Sequence, residues 1–277
     1  MKQCFFCLIL SAAFVISCKP PQPTVDATSS REEATPLVVL QKKNPDSVYF
    51  GTERLSDIGI ESVGDVASFQ LVVRNAPPDQ KYMLSNRNLG GPIKPIYEYQ
   101  ADDDGTLGRQ VSEGTMMLDN DVWLMFDFFR GEPVEYFLTS RDGATELVTT
   151  FVPYPIKATG KDGAEISVRR LVPDARLMLC EGDGFVPDEE VLVSSQSANE
   201  RTVDVPYICR NGRFSMLLEP QAAGKSGGVA YIEVKRAAER LALEYDWGCQ
   251  ALNPKRRVAN SSKMKQDALS KLPVDLD

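Results

Sequence analysis

The sequence predicts an all-β protein of two tandem antiparallel β-sandwich domains carried behind a polar linker. Three observations predict it. From Ser47 to Cys249 the chain is built of short runs rich in Val, Tyr, Phe and Thr, separated by clusters of Gly, Pro, Asp and Asn. No stretch of useful length in that region places apolar residues at helical spacing. The two halves of the region also repeat one another at an offset of domain size, too long for a solenoid.

The first seventeen residues read as a secretory leader. Lys2 is its positive start, and Phe5 to Ile16 is apolar except for Ser11. That run is too short to cross a bilayer as a mature helix. It closes in Val15-Ile16-Ser17-Cys18, where an ordinary leader would close in small residues. The run resembles the lipobox of bacterial lipoproteins. The resemblance implies that Cys18 is joined to diacylglycerol, that the leader is cut just before it, and that the new amino terminus is acylated. Two or more acyl chains hold a protein stably on a membrane, so the first expected partner is a membrane, reached through Cys18. Lys19 follows the cysteine, where Asp marks inner-membrane retention in well-studied lipoproteins. The expected location is therefore the bacterial cell envelope, with the outer membrane preferred.

Residues 18–46 form the lipid-anchored linker. Pro20, Pro21 and Pro23 stiffen its start, and Thr, Ser and charged residues follow. The apolar run Pro36 to Leu40 interrupts it as a segment able to dock on the body. No later stretch approaches eighteen uninterrupted apolar residues.

The first sandwich is expected over 47–157. Phe69, Leu71 and Val73 share one face of a strand, and Tyr97 and Tyr99 keep the same period of two. Asp121 to Phe128 is apolar on both faces, which predicts a central strand buried on both sides. Val134 to Ser140 and Glu146 to Ile156 follow, until Pro153-Tyr154-Pro155 breaks the pattern and Lys161-Asp162-Gly163 makes a turn. The second sandwich is expected over 158–249, with strands at Arg176 to Cys180, Val191 to Ser197, Thr202 to Arg210, Arg213 to Glu219, Gly228 to Lys235 and Glu239 to Trp247. Asn211-Gly212 predicts a type I′ hairpin turn, with both central residues at positive φ. Residues 250–277 are a basic polar tail that either forms a short helix at Ser262 to Leu272 or stays disordered.

The repeat lies in the loops. Asn75-Ala76-Pro77-Pro78-Asp79-Gln80-Lys81-Tyr82 aligns with Gly184-Phe185-Val186-Pro187-Asp188-Glu189-Glu190-Val191, and a strand with Ser85 or Ser194 follows each. Asp104-Gly105 and Asn211-Gly212 then align as turns. The segment Gly182 to Glu189, with its Gly-Phe-x-Pro-x-Glu core, resembles immunoglobulin-like repeats of bacterial surface proteins. It departs from them in carrying Asp188 where Gly is usual. The resemblance implies an immunoglobulin-like β-sandwich with a binding or spacing role and no catalytic residues.

Composition narrows the chemistry. A net charge of −8 argues against sequence-independent nucleic-acid binding, which needs clustered Lys and Arg. The absence of histidine removes Ser-His-Asp and Cys-His catalysis and His-ligated zinc. Asp102-Asp103-Asp104-Gly105 lacks the spacing of a calcium loop and reads as a turn, as does Asp119-Asn120-Asp121. Gly224-Lys225-Ser226 lacks the first glycine of a phosphate loop. No catalytic residue, cofactor or metal site is therefore assigned.

Once Cys18 is given to lipid, the mature chain holds Cys180, Cys209 and Cys249. If the six strands of the second half alternate in direction, Cys180 and Cys209 end at the same edge, and a disulfide is expected between them.

The expected function is that of a non-catalytic lipoprotein binding or spacing a protein or glycan partner. The loops at Asn86 to Pro95 and Gln221 to Gly227 are its candidate surfaces. A carboxylate-dependent glycan hydrolase and an accessory lipoprotein of an outer-membrane or secretion assembly stay open as alternatives.

Overall fold

The computed structural model describes residues 47–54, 66–112, 114–237 and 239–258. The leader, Cys18, the linker and the tail beyond Val258 lie outside the described residues.

Among the described residues seventeen strands form four antiparallel sheets. The first sandwich holds β1 (Tyr49–Arg54), β2 (Ala67–Arg74), β3 (Lys81–Asn88), β4 (Lys94–Ala101), β5 (Leu107–Val111), β6 (Gly114–Met117), β7 (Val122–Met125), β8 (Val134–Ser140) and β9 (Glu146–Phe151). The second holds β10 (Ile156–Thr159), β11 (Glu165–Arg170), β12 (Met178–Asp183), β13 (Leu192–Ser197), β14 (Glu200–Asp204), β15 (Phe214–Leu218), β16 (Gly227–Lys235) and β17 (Arg240–Gly248). The only helical turns among the described residues are two 3-10 turns, at Leu118–Asn120 and Pro254–Arg256.

Strand order is the same in both halves. Sheet β1-β2-β7 faces β6-β5-β4-β3-β8-β9, and sheet β10-β11-β12-β15 faces β14-β13-β16-β17. With the seven shared strands lettered in chain order, each half reads A-B-E against D-C-F-G. That is the immunoglobulin arrangement with its fourth strand moved to the C-F-G sheet. The first half adds β5 and β6 outside β4, and the second adds β10 outside β11.

Each core draws on both of its sheets. In the first, Phe69 and Leu71 on β2 meet Tyr82, Leu84, Tyr136 and Leu138 from β3 and β8. Phe69 lies 4.5 Å from the Phe151 ring and 5.8 Å from Tyr136, in tilted arrangements that suit aromatic quadrupoles. In the second, Ile166, Val168, Met178 and Phe214 meet Val193, Ile232, Val234, Leu241 and Trp247. Each fully buried Phe, Leu or Ile stabilises its sandwich by roughly 1.5–3 kcal/mol.

Four expectations need correcting. The apolar run at Asp121 to Phe128 is not a central strand. β7 spans only Val122–Met125 and lies at the edge of its sheet. Asp127, at φ 63, takes a left-handed conformation that a strand cannot continue through. The second apolar face of the run is covered by a chain segment rather than a sheet, since Leu124 and Phe126 pack with Val66 and Val258. The strand expected to reach Arg210 stops at Asp204, because Pro206 cannot donate to a ladder and holds Val205 extended. The strand expected at Glu146 to Ile156 is two, β9 and β10, and the expected turn at Lys161-Asp162-Gly163 joins β10 to β11, a strand the sequence pattern did not show. At Asn211-Gly212 only Gly212 has positive φ, so the turn is three residues closed by a left-handed glycine rather than type I′.

Candidate functional site

The aligned loops are alike in three dimensions. Asn75 and Gly184 both have positive φ, as do Asp79 and Asp188. The left-handed Asp188 accounts for the glycine usual at that place in the repeats this segment resembles, because Asp tolerates the conformation and Gly adopts it freely. Several main-chain hydrogen bonds recur in both loops. Ala76 N donates to Gly105 O at 3.3 Å and Phe185 N to Gly212 O at 3.0 Å. Gln80 N donates to Pro77 O as Glu189 N does to Val186 O, and Asp102 N donates to Thr106 O as Cys209 N does to Arg213 O. A Cβ on Gly105 would meet Ala76 O at 2.9 Å, and one on Gly212 would overlap Phe185 O. The three-residue turn and the loop it holds are thus one repeated unit.

Side chains finish the unit in the second sandwich. Phe185 is buried and meets Phe214 edge-on at 5.1 Å. Arg236, its side chain 2% exposed, grips Glu189 through Nε at 2.9 Å and Nη2 at 3.0 Å, and reaches Asp162 through Nη1. Its guanidinium lies 5.0 Å over the Phe185 ring. The Gly-Phe-x-Pro-x-Glu segment therefore serves as a closure of the sandwich end.

A second built feature joins the sandwiches. Arg170, at the end of β11, is buried and donates to Arg130 O of the first sandwich, to Pro173 O, and to Ala251 O of the segment after β17. Burial lowers its pKa, with Glu132 the leading charge that opposes the shift. Phe129 lies between two guanidiniums, those of Arg170 and Arg257, each 4.8 Å from its ring. Arg170 N donates to Gly131 O at 2.8 Å, and Val258 N to Phe128 O at 2.9 Å. The chain thus returns from the second sandwich to the first.

The loops expected to bind a partner lie beside this junction. Asn86 to Pro95 contains the β3–β4 turn, where a Cβ on Gly90 would meet the Pro173 ring at 2.7 Å. Ile93 stays 52% exposed. Gln221 to Gly227 joins β15 to β16. Its Ser226 carbonyl accepts from Arg176 and from Cys249 N, and its Ala223 N donates to Glu200 at 2.6 Å. Both loops are partly committed to holding the fold.

Asp104 and Asp119 edge a shallow groove of about 610 Å³ together with Glu53, Arg74 and Asn75. Asp102 Oδ1 accepts from Asp104 N and Thr106 N, so its carboxylate serves the turn, as expected. Asp121 is held by Arg109 and Tyr99, each at 3.4 Å. Burial raises the pKa of Asp121, and Arg109 opposes that shift. Among the described residues no group of three Cys, Asp or Glu side chains could hold a metal ion.

The expected Cys180–Cys209 disulfide is corrected, since Cys180, Cys209 and Cys249 are all free thiols. Cys180 is in mid-strand opposite Met216, whereas Cys209 pairs through its backbone with Arg213, three residues further along. At about 3.3 Å per residue that offset is near 10 Å, beyond the roughly 7 Å span a disulfide can bridge. The alternation argument failed because Thr202 to Arg210 is not one strand. Burial pushes the Cys180 thiol up to about 12.

Sequence reading missed Arg170, Arg236 and the exposed row Val203, Val205 and Tyr207. Only the row had a local sign, its alternation.

No family model matches the sequence, and no curated protein matches it. Among solved structures, a tetra-tandem repeat from the extending region of a large adhesion protein aligns over 73% of this chain and 49% of that one, at 12% identity and a TM-score of 0.24. A marsupial T cell receptor aligns over 72% of this chain and 100% of that one, at 13% identity and a TM-score of 0.23. The strand order described above carries the fold assignment.

Proposed function

We propose that this chain is a non-catalytic lipoprotein of the bacterial cell envelope, anchored through Cys18, which binds or spaces a protein or glycan partner. The observation that carries the reading is the run Val15-Ile16-Ser17-Cys18, at the end of an apolar leader and ahead of a proline-rich linker. The junction at Arg170 supports a spacing role, because two sandwiches tied through a buried arginine present their surfaces as one stiff body. The side-chain chemistry supports binding over turnover. Asp121, the carboxylate beside the buried Tyr99, is held by Arg109.

Metabolic labelling with a fatty acid tests the anchor. The wild-type chain takes up label, and Cys18→Ser neither takes up label nor matures at residue 18. Incorporation by Cys18→Ser overturns the assignment. The class of activity is tested with the lipid-free protein on peptidoglycan fragments. Turnover abolished by one Asp→Asn or Glu→Gln change replaces the binding reading with the hydrolase.

A further inference from the structure

Strand β14 lies at the edge of its sheet, bonded to β13 on one side and to no strand on the other among the described residues. All five of its residues are exposed. Val203, Val205 and Tyr207, at alternate positions along it and the extended segment that follows, are 50%, 65% and 72% exposed. Tyr207 and Val205 are the most exposed large apolar side chains among the described residues. An edge that sets open backbone groups beside bare apolar side chains is a template for another strand. Its charges are also unspent. Arg201 and Asp204 form no ion pair among the described residues, while Glu200 is turned back onto Ala223 N.

We propose that this edge receives β14 of a second copy of the chain, antiparallel, about a twofold axis through Val203. Such an axis stands perpendicular to the sheet and keeps opposed residues on the same face, so it must pass through a residue. Centred on Thr202, the pair sets Glu200 against Asp204. Centred on Glu200, Arg201 or Asp204, it sets a charge against itself. Centred on Val203, it sets Val203 on Val203, Thr202 against Asp204, and Arg201 against Val205, with Arg201 one diagonal step from the Tyr207 ring. Charge selects one register within β14, and that register joins two four-stranded sheets into one of eight strands. The contact is small beside the roughly 1,600 Å² of a standard stable interface. The pair is therefore weak in dilute solution and favoured where copies are concentrated on a surface.

Cysteine crosslinking of the full-length protein in native membranes tests the pairing, with Cys249→Ser as background. Val203→Cys faces itself across the axis and gives a disulfide-linked dimer on mild oxidation. Val148→Cys, at a side chain 51% exposed on the edge strand β9, does not. Adding Val205→Lys to Val203→Cys sets Lys against Arg201 and abolishes the band, whereas adding Val205→Glu retains or strengthens it. Equal crosslinking at positions 203 and 148, no band at 203, the same response to Lys and Glu, or a crosslink to a different protein overturns the proposal. The edge geometry is independent of the lipid anchor, but the crosslinking readout rests on it to concentrate the copies; failure of the anchor removes the Cys18 label, whereas failure of the pairing removes the band at 203 while the label stays.

Discussion

In the second sandwich the loop end is shut by Arg236, which is withdrawn from solvent and bound twice to Glu189 and once to Asp162. The register of the paired strands places Ser140 where Arg236 stands and Gln80 where Glu189 stands. There the first sandwich uses a hydroxyl and a carboxylate in place of an arginine ion pair. Ser140 Oγ donates to Asp142 at 2.6 Å and accepts from Thr145 N at 2.8 Å. Four bonds of the backbone unit beneath are shared, while Asp79 N to Ala101 O and Ala101 N to Gln80 O have no counterpart among the described residues of the second sandwich. The repeat is thus preserved by main-chain geometry, and side chains may close it in any way that satisfies the polar groups. The two closures differ in fragility, because a buried ion pair fails as a unit and a hydroxyl network does not.

The largest expected effect follows from that difference. Glu189→Ala leaves the Arg236 guanidinium with Asp162 alone and destabilises the second sandwich by about 3–5 kcal/mol. Gln80→Ala at the matching place costs less than about 1 kcal/mol. Denaturant unfolding of both variants checks this, and equal losses would break the comparison. Arg170→Leu removes the donor shared by Arg130 O, Pro173 O and the buried Ala251 O, and costs about 1–3 kcal/mol. Calorimetry should then resolve two transitions where the wild-type chain shows one. Gly212→Ala forces a side chain onto Phe185 O at positive φ and costs about 2 kcal/mol, and Gly105→Ala, with more room at Ala76 O, costs less.

Smaller effects sharpen the comparison. Asp79→Gly and Asp188→Gly relieve the left-handed conformation and should each raise stability by up to about 1 kcal/mol, by similar amounts if the loops are equivalent. The pH response separates one carboxylate of each sandwich by sign. The hydrogen bond from Arg213 holds the Asp183 carboxyl below its ordinary value, so its contribution is present above about pH 4 and is lost as pH falls through the lowered pKa. Burial raises Asp121 instead, so its contribution is present below about pH 4 and is lost as pH rises through the raised pKa. Asp183→Asn should flatten the acid side of the stability profile of the second sandwich, and Asp121→Asn should flatten the opposite slope of the first. A shared sign in urea midpoints measured across this range would refute the assignment.

What the sequence revealed was local. Gly105, Gly212, Asp79 and Asp188 mark backbone positions that few residues tolerate, so the repeated loop was legible from residue types. The strand periods were legible for the same reason at β2, β8 and β17. Pairings between distant residues were not. Glu189 meets Arg236 across 47 positions and Arg170 meets Ala251 across 81, and no local pattern specifies either. The run ending at Phe128 looked central because both faces are apolar, yet one of those faces is covered by Val258. The row Val203, Val205 and Tyr207 shows its alternation plainly, but alternation does not say which side is solvent. Pro206 was the available sign that the ladder stops there.

The bridge between Val258 and Phe128 has a mechanical consequence. The chain enters the first sandwich at β1, passes through the second, and comes back to rest on the first. A load applied to the two ends of the described chain is therefore carried by the first sandwich and by the bridge with its Arg257–Phe129 and Val66–Val258 contacts. The second sandwich hangs in a closed loop outside the line of force. It is shielded from tension until the bridge shears, and only then is it drawn out to lengthen the chain.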